Sequence, residues 1–251
     1  MRRALFWVEL RRARRDPVLL FFVVVLPVAT YLGFGAVMPM DQLPGVDVDL
    51  LRAGLMIGLS AYGAATAAST ITGQAAVERL QGWGRQLALT PVGYGGYALA
   101  KTAVATVVSC LPILLTFTAG ALTGVRIPLS AWLLSAAVLV VGSVTWACYG
   151  LAVGLAGRTQ STLAIASGGL VLFSFVGGVY LPLGGLLLDI GRWTPLYGYV
   201  TLARWPVTGG RSALLDEPAE SLWVALASAS AWTMVLAGLT WWALLRSRER
   251  R

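Results

Sequence analysis

Six stretches of the chain contain no Asp, Glu, Lys or Arg: 17–40, 53–77, 102–125, 127–157, 159–188 and 221–245. Coiled as a helix, each reaches the roughly 20 residues that cross a bilayer core. A charge at mid-bilayer costs about 2.5–3.5 kcal/mol on insertion scales, so the charges collect between the stretches. The pattern predicts membrane spans at about 18–38, 51–73, 98–122, 130–156, 161–181 and 222–245. Pro27 falls inside the first and Pro112 inside the third, and each predicts a break in the regular helix whose freed carbonyl a neighbour must satisfy.

The polar segments between these stretches have patterns of their own. Residues 1–17 place Phe6, Leu10 and Ala13 on one helical stripe and Arg11, Arg12 and Arg15 away from it, with Trp7 suited to headgroup level; this predicts an interfacial helix leading into the first span. The stretch from Glu78 to Lys101 is the long polar interruption between spans two and three. At 100° per residue, Leu80, Trp83 and Leu87 form one stripe and Glu78, Gln81 and Arg85 the opposite one. Thr90-Pro91 ends that helix, and Gly82 and Gly84 weaken it by roughly 1 kcal/mol each against alanine. A solvated connector and a contact surface for a soluble partner are both consistent with this pattern. The second span is rich in Gly and Ala, which favours close helix packing. On one face it carries Tyr62, Thr66, Ser69, Thr70 and Gly73. That stripe either lines a cavity or bonds back to its own helix carbonyls. Between 183 and 218 lie apolar pieces too short to cross, 186–193 and 196–205, which are expected to be re-entrant or interfacial helices.

Charge sets the orientation. With both ends inside, the cytosolic segments hold 14 of the 19 basic residues, and the external ones keep most of the acids. The positive-inside bias therefore places both termini in the cytosol of a cell-membrane protein. The net charge of +8 is accounted for by that bias and by attraction to anionic membrane lipid, so no nucleic-acid partner is expected. Cys110 and Cys148 both fall inside apolar stretches, and the chain contains no histidine. No disulfide framework or metal site is expected, and His-dependent catalysis is excluded. A secondary carrier would place ionisable groups near the midplane, and the six stretches have none; a membrane protein without a transport role is the other alternative.

Three features resemble the membrane subunits of bacterial ABC-2-type ABC transporters, in the exporter class. The first is Glu78-Arg79-Leu80-Gln81-Gly82 with Leu87, Thr90-Pro91 and Lys101. The second is Gly177-Gly178-Val179-Tyr180-Leu181-Pro182 with Thr194-Pro195-Leu196-Tyr197 and Arg204. The third is the layout as a whole, an all-α integral membrane protein of six spans. Gly82-Trp83-Gly84 and the glycine-rich segment after Gly177 depart from the family pattern. The resemblance implies a single transmembrane domain over 1–251 that forms the translocation pathway for a hydrophobic or amphipathic substrate, such as a drug, antibiotic, lipid or glycan. It also implies a separate ABC ATPase subunit that binds ATP and Mg, and a second permease copy or close paralogue. The chain has no Gly-x-x-x-x-Gly-Lys segment of its own, so no cofactor and no enzymatic activity are expected in it. The helix at 78–89 would be the coupling helix, with Glu78, Arg79, Gln81 and Arg85 facing the ATPase. Tyr62, Thr66, Ser69, Thr70, Phe173, Phe175 and Tyr180 would be candidates for the substrate pathway.

Overall fold

The computed structural model describes residues 2–37, 47–82, 93–157, 161–212 and 219–248. Among the described residues the secondary structure is all helical. Five helical segments among the described residues are long and apolar enough to cross a membrane: Pro17–Gly35, Val48–Glu78, Gly95–Leu122, Leu129–Ala156 and Leu222–Arg246. They correspond to the first, second, third, fourth and sixth expected spans.

The expected fifth span is shorter than its apolar run. Its helix is Ser161–Val176, 16 residues, which at 1.5 Å per residue reaches about 24 Å. The helix stops because Gly178 takes a left-handed conformation, φ +69°. Val179 N–H then donates to Ser174 O at 3.1 Å and Gly178 N–H to Phe175 O at 3.4 Å, the paired bonds of a Schellman cap. The following apolar residues, Val179 to Leu181, therefore lie outside the helix. Two short helices come next, Gly185–Arg192 and Pro195–Thr208, close to the apolar pieces predicted there.

The N-terminal helix, Arg2–Arg14, ends in Arg11, Arg12 and Arg14, whose charges complement the helix dipole. Phe6, Leu10 and Ala13 pack on the main core, and Trp7 and Val8 are exposed. Asp16 caps the first span by accepting from Leu19 N–H at 3.0 Å, with Pro17 in the first helical turn. That span contains two π-helical stretches, Phe21–Val25 and Leu32–Val37. The first ends just before Leu26-Pro27, where the missing proline N–H leaves the Val23 carbonyl without its helical partner.

Val48–Gly73 is the central helix, buried along most of its length and packed by the first, third and fourth spans and by Ser161–Val176 and Pro195–Thr208. Its small residues are what allow that approach. A Cβ on Gly63 would stand 2.7 Å from Pro112 Cβ, 3.1 Å from Pro27 Cγ and 3.2 Å from Val23 O, so the prolines of the first and third spans meet the second at one glycine. Gly63→Val should therefore destabilise the fold by about 1–3 kcal/mol, read as a lower unfolding temperature in detergent. Polar ties run between helices too: Ser109 Oγ donates to Ala64 O at 3.0 Å, Tyr199 Oη to Leu139 O at 2.6 Å and Thr240 Oγ1 to Cys148 O at 2.8 Å.

Candidate functional site

The second span turns at Gln74 into a short helix, Ala75–Leu80, and this carries the first family-like motif. Glu78 does not face outward from it. It is 1% exposed, and an ionic cluster holds its carboxylate. Lys101 Nζ lies 2.9 Å from Glu78 Oε1 and 3.1 Å from Glu9 Oε2. Arg12 Nη1 lies 2.7 Å from Glu78 Oε1, and Tyr97 Oη donates to Glu78 Oε2. The Lys101 ammonium also stands over the Tyr97 ring, 5.3 Å from its centre. Lys101 is 0% and Glu9 4% exposed, while the Arg12 side chain is 46% exposed. Two carboxylates thus face two cations, with a phenol completing the hydrogen bonds of Glu78. Burying such charges is tolerable only in this paired and bonded form.

The cluster joins three elements: the N-terminal helix through Glu9 and Arg12, the end of the second span through Glu78, and the start of the third through Tyr97 and Lys101. The chain that leaves this joint is the segment expected to couple. Gln81 is exposed at its beginning. Arg79 belongs to the short helix, and Arg85 lies outside the described residues. Sequence reasoning missed Glu9 and Tyr97 and, though it placed Lys101 in the family-like motif, gave it no role at the site. Two signals were available: Glu9 borders the Phe6–Leu10–Ala13 stripe, and Lys101 is the sole lysine, set at the edge of an apolar run.

The expected pathway residues are partly gathered. Tyr62 and Tyr180 have ring centres 6.5 Å apart, and Tyr180 stands 5.0 Å from Phe175. Phe173 packs against the main core, and Phe175 is exposed. Thr66 Oγ1 donates to Tyr62 O at 2.8 Å, and Ser69 Oγ to Thr66 O at 3.2 Å. These hydroxyls bond their own helix, as the back-bonding alternative describes. Thr70 is half-buried on the same helix.

The second family-like motif assembles at the other end of the central helix. The Arg204 guanidinium donates to Gly54 O at 2.8 Å, to Gly178 O at 2.7 Å and to Val179 O at 2.7 Å. It ties the second span to the turn that caps Ser161–Val176. From Gly54 to the helix end at Gly73 runs roughly 30 Å of helix, so the two motifs stand about one bilayer core apart.

A polytopic helical bundle with a charged clasp at one end and paired short helices at the other is the architecture of a membrane transport subunit. The sequence comparisons agree. The chain belongs to the ABC-2 type transporter family, which matches residues 2–215. It is similar to the protein named "Putative transport permease YvfS" of Bacillus subtilis (strain 168), with 24% identity over 207 residues covering 80% of this chain and 83% of that protein.

Proposed function

We propose that this chain is the membrane subunit of an ATP-driven exporter, working with a separate ABC ATPase and a second permease copy or close paralogue. In this reading the chain crosses the cell membrane six times with both termini in the cytosol. Ser161–Val176 and the turn after it make the fifth crossing. ATP and Mg bind to the partner subunit. Gln81, Arg79 and Arg85 meet the ATPase, and Glu78 positions them from inside the joint. The Tyr62–Phe175–Tyr180 aromatic group lies along the route of a hydrophobic or amphipathic substrate.

The observation that supports this most is the clasp around Glu78. It fastens the entrance of the 81–92 segment to the N-terminal helix and the third span at once. A push on that segment would move three elements together, whereas a solvated connector has no need of such a joint. The test is purification of the tagged protein from its native host, with identification of any bound subunit and measurement of ATP hydrolysis. A stoichiometric ATPase should accompany the wild-type chain. Gln81→Ala combined with Arg85→Ala should reduce its recovery about tenfold or more, as expected when contacts at an interface centre are removed, while the permease still elutes as a folded species. A folded permease that never carries an ATPase would overturn the proposal.

A further inference from the structure

The pocket beneath Arg204 has a ligand chemistry that the transport reading does not supply. It encloses about 110 Å³ between the start of the second span, the turn at Gly177–Gly178 and the helix Pro195–Thr208. Two arginines line it, Arg204 and Arg211. Arg204 uses three N–H groups on carbonyls, and a guanidinium has five, so two donors remain. Among the described residues no carboxylate pairs with Arg204. Glu220 also lines the pocket, but Arg192 already holds it through Nε at 3.1 Å and Nη2 at 2.8 Å. The lining as a whole therefore carries excess positive charge. Burial lowers the Arg204 pKa to about 10, which leaves it charged at neutral pH. The rest of the wall is mixed: Tyr197 and Thr201 offer hydroxyls beside the guanidinium, and Leu51 and Leu183 line the apolar side.

We propose that this pocket binds the oxyanion headgroup of an amphiphile, with a phosphate held by Arg204 and Arg211 and its chain laid along the leucines. Guanidinium groups suit this role because their planar donors match phosphate oxygens. The leucine wall favours a headgroup carried on an acyl chain over a free ion. The site stands independently of the ATPase, since it rests on the pocket alone.

The experiment uses the full chain in neutral detergent, titrated with dioleoyl phosphatidylglycerol, dioleoyl phosphatidylcholine or inorganic phosphate, with binding followed by thermal shift and by hydrogen exchange over 195–212. Phosphatidylglycerol should bind about tenfold more tightly than phosphatidylcholine and protect that segment. Arg211→Gln should remove about tenfold of that preference, as loss of one charge-assisted contact does. Arg211 is exposed, and its side chain makes none of the ties that hold the helices, so the variant should fold. Arg15→Gln, a basic residue at the other end, should leave the preference unchanged. Failure of millimolar phosphate to compete would assign the pocket to the lipid headgroup, whereas full competition would assign it to a free oxyanion and overturn the amphiphile proposal. Equal binding of the two lipids would overturn it, as would a preference untouched by Arg211→Gln.

Discussion

Changing Lys101 to methionine should destabilise the chain by about 3–5 kcal/mol, the range for a buried ion pair that loses one partner. Methionine nearly conserves the volume, so a cavity contributes little. The cost comes from Glu9 and Glu78, both buried and both within 3.1 Å of the one ammonium. Without it the cation left in the cluster is Arg12, which is half in solvent and, among the described residues, bonds Glu78 but not Glu9. Thermal unfolding in detergent should show a fall of about 10 °C or more. Lys101→Met with Glu9→Gln should recover part of the loss, because one buried anion then remains and it keeps Arg12 and Tyr97. A shift of less than about 2 °C in the single variant would mean that the cluster is hydrated and carries little of the joint.

That cluster also marks where sequence reasoning reached its limit. Hydrophobic run length located the five described helices that are long and apolar enough to cross a membrane, because the bilayer constraint acts on each helix separately and leaves its trace in each. The fifth run stops short as a helix for a local reason that the apolar count does not register, the left-handed Gly178 and its cap. Glu78 illustrates a different limit. The 100° pattern put it on the polar edge with Gln81, which holds for Gln81 but not for Glu78. Amphipathic analysis reads an acid as solvent-facing unless it knows of a cation on another helix, and here that cation is 23 residues away. Pro27, by contrast, was legible because its effect is covalent. The missing N–H disrupts the helix in any surroundings, and the π stretch Phe21–Val25 lies where the disruption falls.

Arg204→Met should lower stability by about 3 kcal/mol. Each hydrogen bond to a charged donor contributes about 1.5–3 kcal/mol. Three carbonyls lose one here, but Arg204 is only partly buried, so water can replace some of them. Arg204→Lys should restore less than half, because a single ammonium cannot present the planar fork that spans Gly54 on one helix and Gly178 and Val179 on a turn. Hydrogen exchange over 174–181 should accelerate in the methionine variant, since the Schellman cap loses its outer support. Arg204 and Lys101 share no partner, and the residues they hold, Gly54 near the start of the central helix and Glu78 just beyond its end, stand about a bilayer core apart, so the double variant should be additive to within about 0.5 kcal/mol. Additivity would mean that the central helix is a passive post. A larger deviation would show that strain at one anchored end reaches the other along it, which is the property a transport subunit needs if movement at the Glu78 joint is to open the Arg204 end.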